Sequence, residues 1–128
     1  MAIYLEARLW AAPGKMGELV EYLEKEFVPD CEKLGRKLAG QWRTTIGEVE
    51  EVTNLWVYED LADMMRYDQR AQAERAKDPE FGKRGAKLAT LVLRDFTRVM
   101  VPTRVSPLKK ITEDVLAAGQ AEIIAPIR

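Results

Sequence analysis

The chain has 128 residues, of which 47% are hydrophobic and 32% are charged, and its formal net charge at pH 7 is -1. This composition is typical of one soluble globular domain and excludes a disordered chain. Because basic and acidic residues nearly balance and no apolar run approaches a bilayer span, we expect neither nucleic acid nor a membrane as a partner.

The residue types that are absent limit the possible chemistry. The chain has no histidine and a single cysteine, Cys31, so it lacks the commonest proton shuttle and the usual zinc and haem ligands, and it cannot form an internal disulfide. We therefore predict no metal and no cofactor. The N-terminus shows no secretory signal, and we expect a cytoplasmic protein.

The first predicted element is a strand, because side chains alternate between two faces over residues 3–10. Ile3, Leu5, Ala7 and Leu9 share one face, and Tyr4, Glu6, Arg8 and Trp10 share the other.

A helix follows, with apolar residues at helical spacing from Met16 to Leu34 and Gly35 as its stop,. Pro29 lies inside this pattern, and it predicts a kink or a brief break near Phe27 because proline lacks a backbone donor and clashes one turn back.

Two further runs, Leu38 to Ile46 and Val49 to Tyr58, are rich in β-branched and aromatic residues and predict an antiparallel hairpin,. Asp60 is a good N-cap for a second helix, which Asp78-Pro79 interrupts. A shorter helix then precedes a last strand within residues 90–101.

The predicted order is strand, helix, strand, strand, helix, strand, which indicates an α+β, ferredoxin-like βαββαβ domain over residues 1–103. Helices would cover one face of its sheet, and a second copy of the chain is the simplest cover for the other face. We therefore predict a homodimer or a higher homo-oligomer. Residues 104–128 would form a C-terminal arm, a short helix plus an extended segment, packed on its own domain or on a partner subunit.

The segments "EARLWAAPGK" and "GQWRTTIGEVEEVTNLWVYEDLAD" resemble the NIPSNAP family of the dimeric α/β-barrel superfamily. The most specific part of the resemblance is a tryptophan–threonine–isoleucine–glycine pattern followed by Leu-Trp-x-Tyr, here Trp42, Thr45, Ile46, Gly47, Leu55, Trp56 and Tyr58. The resemblance implies a dimeric α/β barrel. The superfamily includes cofactor-free monooxygenases, haem-degrading enzymes, polyketide cyclases and interaction domains. Two positions depart from the family: Trp10 replaces a common tyrosine, and Asn54 replaces a common histidine.

Glu6, Arg8 and Tyr58 are the candidate catalytic residues. Glu6 and Arg8 share a strand face, where a carboxylate base beside a guanidinium would suit proton abstraction next to a carbonyl. Tyr58 closes the family motif and is the candidate acid. The alternative for Glu6 and Arg8 is a structural ion pair.

Six residues are candidates for substrate binding: Trp10, Trp42, Thr44, Asn54, Trp56 and Met64. The three tryptophans could line one wall of an apolar pocket, or they could anchor the core or a subunit interface. Thr44 and Asn54 could orient a ligand carbonyl, although threonine is also a good strand former. Met64 could shape an adaptable pocket wall, although core filling is its usual role.

Two functions remain open. The first is a metal-free enzyme acting on an apolar carbonyl or phenolic small molecule by cyclisation, isomerisation, a lyase step or cofactor-independent oxygenation. The second is a non-catalytic dimeric module that binds a ligand or a protein. A concave pocket with convergent polar groups would favour the first function.

Overall fold

The structure is a computed structural model that describes residues 2–106, 113, 116 and 117. Its sheet contains β1 (Ile3–Ala11), β2 (Lys37–Arg43), β3 (Glu51–Tyr58) and β4 (Val92–Met100). The strands pair antiparallel in the order β2-β3-β1-β4. This order confirms the ferredoxin-like α+β fold, in which the two strands that precede the helical connections lie side by side at the centre.

The helical segments are α1 (Met16–Tyr22), a π-helical segment (Leu23–Phe27), α2 (Val28–Lys33), α3 (Leu61–Lys77), α4 (Pro79–Ala86) and α5 (Leu88–Leu91). The π-helical segment joins α1 to α2 without a break, and the Val28 amide donates to the carbonyl oxygen of Leu23, five residues back. It ends just before Pro29, where the wider turn relieves the clash of the proline ring with the preceding turn. The irregularity predicted near Phe27 is therefore confirmed.

The predicted helix boundaries follow from local chemistry. The Asp60 carboxylate accepts a hydrogen bond from the Asp63 amide at 2.7 Å and caps α3,. Asp78 caps α4 through the Glu80 amide, and Pro79 occupies the first turn of α4,. Gly35 follows α2 with a φ of 92°, a left-handed conformation that glycine adopts without strain.

The hairpin differs from its prediction. β2 ends at Arg43 and β3 begins at Glu51, so residues 44–50 form a connection rather than the ends of two strands. Ile46 and Val49 are exposed there. Their β-branched side chains have no facing strand to pack on, so their strand propensity alone does not extend the pairing of β2 with β3.

The sheet has two unequal faces. The helix face, which includes Val52, Asn54, Trp56 and Tyr58 of β3, packs against the helices and holds most of the buried residues. The open face carries the alternate residues of the strands, including Leu55 and Val57 of β3. The prediction that helices cover one face of the sheet is confirmed.

Part of the predicted arm packs on this domain. Leu116 lies against Tyr4 and Val57 at one end of the open face, and its carbonyl oxygen accepts from Lys37 Nζ at 2.5 Å. Most of the predicted short helix and the extended segment lie outside the described residues, and the bounds of the arm stay a prediction. No helix within the described residues is long and apolar enough to cross a membrane.

Tyr22 joins α1 to α4, because its hydroxyl donates to the Arg84 carbonyl oxygen at 2.5 Å. Burial, followed by the nearby Glu26 charge, raises the pKa of Tyr22 to about 12. We expect Tyr22→Phe to lower the free energy of unfolding at neutral pH by about 1 kcal/mol through the lost hydrogen bond.

The stability advantage of wild type over Tyr22→Phe should fall above about pH 10 and reverse before about pH 12, because a pKa shift of this size outweighs one hydrogen bond,. In that window the unfolded wild-type chain ionises Tyr22 while the folded protein does not, so wild-type stability falls as pH rises. Urea unfolding of both proteins across this range measures the effect, and other tyrosines cancel in the comparison. A difference in the free energy of unfolding that stays constant up to about pH 12 would contradict this prediction.

Candidate active site

A cavity of about 300 Å³ lies between α2, α3 and α4 on the helix face. Its volume is at the lower end of the range for small-molecule sites, about 300–1,000 Å³. The lining residues are Phe27, Asp30, Cys31, Arg36, Tyr67, Asp68, Ala71, Gln72, Arg75, Phe81 and Gly85. Aromatic and apolar side chains make up about half of this lining; of the charged residues, Asp68 and Arg75 lie exposed at the rim, whereas Asp30 and Arg36 lie deeper.

Arg36 is the positively charged residue in the deeper part of the cavity wall. It follows the glycine stop of α2, so the chain turns there and directs its half-buried side chain into the layer between sheet and helices. Its Nε donates to the Tyr58 hydroxyl at 2.8 Å. The guanidinium carbon lies 4.2 Å from the centre of the Trp56 ring and 5.1 Å from that of Tyr67. These contacts hold the planar guanidinium in one orientation.

Two phenols accompany this guanidinium. Burial raises the pKa of Tyr58, although the adjacent Arg36 opposes the shift. Burial, and then the neighbouring Cys31, raises the pKa of Tyr67 above its ordinary value. Both hydroxyls are protonated at neutral pH and can donate a hydrogen bond. Tyr67 lines the cavity and can reach a ligand, whereas Tyr58 lies behind Arg36.

The acidic residues of the wall do not neutralise Arg36. Asp30 accepts two hydrogen bonds from Arg84, at 2.7 Å and 3.2 Å, and this bidentate pair ties α2 to α4. Asp68 is exposed at the rim, as is Arg75. Within the described part of the chain, no cluster of three or more acidic or thiol side chains could hold a metal ion.

Glu6 and Arg8 lie on the open face, away from this cavity, and they do not pair with each other. Arg8 donates to Glu51 through Nε at 2.8 Å and through Nη2 at 3.1 Å. Glu6 accepts from Arg98 Nε at 3.1 Å. The register explains both pairs, since Glu51 and Arg98 come from the strands on either side of β1.

Tyr58 points to the helix face, so the three candidate catalytic residues do not form one group. The expected pairing of Glu6 with Arg8 within one strand is wrong, because cross-strand partners lie nearer than the residue two positions along.

The three tryptophans are also divided between the faces. Trp56 is 1% exposed and lies under Arg36 on the helix face, while Trp42 is 55% exposed on the open face. Trp10 lies on the open face near the guanidinium groups of Arg8 and Arg94, at 4.8 Å and 4.3 Å from its ring centre. The prediction that they line one pocket wall together is therefore wrong.

The other candidate binding residues do not line the cavity. Asn54 is buried on the helix face, where its side-chain oxygen accepts from Gln41 Nε2 at 2.7 Å. Met64 belongs to α3 and packs against the core. Thr44 lies just after β2, and its amide continues the ladder to the Glu51 carbonyl oxygen at 3.0 Å.

Sequence reasoning missed Arg36 and most of the cavity lining, and it preferred Tyr58 to Tyr67 as the candidate acid. The lining residues come from the end of the π-helical segment, α2, the residue before β2, α3 and α4, and no short motif joins them. One local signal was present: Arg36 is a charged residue that lies between a helix-stopping glycine and the first residue of a strand.

Comparison with known proteins agrees with this fold. The NIPSNAP family model matches residues 4–107. The chain is 27% identical to a NIPSNAP family protein from Agrobacterium tumefaciens, with a TM-score of 0.73 over 84% of this chain and 91% of that one.

It is also 27% identical to an uncharacterized NIPSNAP-like domain protein from Burkholderia xenovorans, with a TM-score of 0.68 over 83% and 89% of the two chains. A second Agrobacterium tumefaciens protein, a NIPSNAP family member of unknown function, is 24% identical, with a TM-score of 0.69 over 84% and 93%. A search of the curated proteins gave no significant match.

Proposed function

Because the chain belongs to the NIPSNAP family, we propose that it binds an apolar small molecule in the cavity between α2, α3 and α4 and transforms it without a metal. The observation that carries this proposal is the cavity itself, in which the Arg36 guanidinium and the Tyr67 phenol lie beside the apolar side chains of Phe27, Ala71 and Phe81. Apolar pockets with a few convergent polar groups are the usual form of small-molecule sites.

Tyr67 is the proposed hydrogen-bond donor to the substrate. It lines the cavity, and its phenol is protonated at neutral pH,. Because its raised pKa makes it a weak acid, it would polarise a carbonyl or phenolic oxygen of the substrate by hydrogen bonding rather than transfer its proton. Such a site suits the cyclisation, isomerisation, lyase or oxygenation chemistry considered above.

The second candidate function is a non-catalytic dimeric module. The open face favours dimerisation in addition to small-molecule binding. This face exposes Trp42 and Phe96 at the end away from Leu116. Aromatic side chains of this kind are enriched in subunit interfaces. We propose that the open face packs on a second copy of the chain, with the Arg8–Glu51 and Glu6–Arg98 pairs fixing the register of its strands.

Binding in the cavity can be tested with two probes of equal shape, 2-naphthoate and its neutral amide, 2-naphthamide. Gln72 is an exposed residue of α3 that lines the cavity. We expect Gln72→Trp to weaken both probes strongly, because the indole fills space at the mouth. Titration calorimetry on folded protein measures the affinities.

Gln69→Trp is the matched control, since Gln69 is an exposed glutamine of the same helix that does not line the cavity. It should leave both affinities unchanged. Equal affinities in wild type and Gln72→Trp would place the probes elsewhere and refute the proposed site.

A further inference from the structure

Arg36 differs from the arginines that join other elements of the fold. Arg8, Arg84 and Arg98 each hold a carboxylate at 2.8 Å, 2.7 Å and 3.1 Å. Among the residues that the structure describes, no carboxylate lies within 4.0 Å of the Arg36 guanidinium. Its neighbours are a phenol, a thiol and two aromatic faces, with Nη1 at 3.9 Å from Cys31 Sγ.

A half-buried cation without an anion is unfavourable unless its environment compensates the lost hydration. The ring contacts and the Tyr58 hydroxyl compensate part of this cost, but none of them removes the positive charge. Within the described residues, Nε and Nη1 of Arg36 each have a hydrogen-bond acceptor, and Nη2 has none. The guanidinium therefore retains donor capacity at Nη2, and Arg36 is one of the residues that line the cavity.

The charges around the cavity also favour an anion. Asp30 is neutralised by its bidentate pair with Arg84. The remaining charged lining residues are Arg36 and Arg75 against Asp68. Arg75 and Asp68 both lie exposed at the rim, where water screens them, so Arg36 is the unneutralised charge in the deeper part of the described lining,.

The rest of the wall fits a flat apolar body. Phe27, Tyr67 and Phe81 supply aromatic surface, and Ala71 is the small residue that leaves room between them. Aromatic rings prefer offset or edge contacts with another ring, so a planar ligand can lie against these side chains.

We infer that the ligand of this cavity is an apolar, planar carboxylate, whose carboxylate group is bound by Arg36 and whose hydrocarbon body lies among Phe27, Tyr67 and Phe81. This inference rests on the proposed function, since it names the chemical class of ligand for the same cavity. Tyr58 is a positioning residue, because it holds Nε and so fixes the plane of the guanidinium.

The test compares 2-naphthoate with 2-naphthamide in wild type and in Arg36→Gln at neutral pH. We expect wild type to prefer the carboxylate by about ten- to a hundred-fold, the range for a hydrogen-bonded charge pair. Arg36→Gln should remove that preference and change the amide affinity little. Arg66→Gln, an exposed arginine of α3 that does not line the cavity, is the matched control and should keep the full preference.

The outcomes separate the two proposals. Equal binding of both probes in wild type would overturn the carboxylate inference and leave the cavity as a small-molecule site. Binding of neither probe would overturn both. A preference that survives in folded Arg36→Gln would assign the anion to another group and would also overturn the inference.

Two variants keep the test decisive if Arg36→Gln fails to fold. Arg36→Lys keeps a positive charge but lacks the planar fork, so the preference should fall several-fold. Tyr58→Phe keeps the guanidinium and its stacking while removing the acceptor for Nε, and it should weaken only the carboxylate probe. A wild-type preference in both variants would overturn the inference.

Discussion

Replacing Trp56 with alanine should lower the free energy of unfolding by about 3–5 kcal/mol, the usual cost of truncating a buried aromatic residue. Its side chain is 1% exposed, and its ring centre lies 6.5 Å from that of Phe27 and 4.2 Å from the guanidinium carbon of Arg36. Alanine would leave a void and remove the surface on which the guanidinium lies. Urea unfolding at several protein concentrations measures the loss.

The matched comparison for this variant is Trp42→Ala. Trp42 is 55% exposed on the open face, so its truncation should weaken the association of two chains. The loss of stability should therefore vary with protein concentration, while the stability of the single folded chain stays the same. Trp56→Ala should give the same loss at every concentration. A loss well below about 2 kcal/mol for Trp56→Ala would contradict the core role assigned to this residue.

The second large effect is expected in assembly. Phe96 is 48% exposed on the open face, opposite Arg8. If this face packs on a second copy, Phe96→Asp would remove an aromatic contact from the interface and bury a carboxylate there, whose desolvation costs more than a pair with Arg8 returns, and the assembly should dissociate. Sedimentation should then give the mass of one 14.6 kDa chain for the variant and twice that mass for wild type.

Leu61→Asp is the control, since Leu61 is 54% exposed but belongs to α3 rather than to the sheet. It should keep the wild-type mass. A wild-type protein that sediments as a single chain at micromolar concentration, or a folded Phe96→Asp that remains a dimer, would refute the proposed assembly.

Local sequence signals predicted the helices and strands correctly, because the start and end of each helix or strand depend on a few neighbouring residues. Alternation in β1 separated its two faces correctly, and Asp60, Asp78-Pro79 and Gly35 marked boundaries that the structure confirms. The strand order then followed from the number and order of elements, which permit few arrangements of one sheet.

The candidate site was predicted less well, because it depends on pairings between distant residues. Arg8 meets Glu51, which lies 43 positions away, and no local pattern indicates that register. Trp42 and Trp56 lie on neighbouring strands but on opposite faces, since a β-bulge shifts the register between Leu38 and Gly40,. The cavity was missed for the same reason, as its wall combines four separate segments.

The π-helical segment has a consequence for how the helix can vary between related chains. A π turn holds about one residue more than an α turn, so it accommodates one extra residue within a helix,. A related chain with one residue fewer between Leu23 and Phe27 would therefore form a regular α-helix in which the buried side chains of α1 and α2 keep facing the same layer. If Leu23–Phe27 itself were regular α-helix, α2 would be rotated by about 100° relative to α1, because each residue turns an α-helix by that angle. Cys31 and Val28 would then turn away from the layer that contains Arg36.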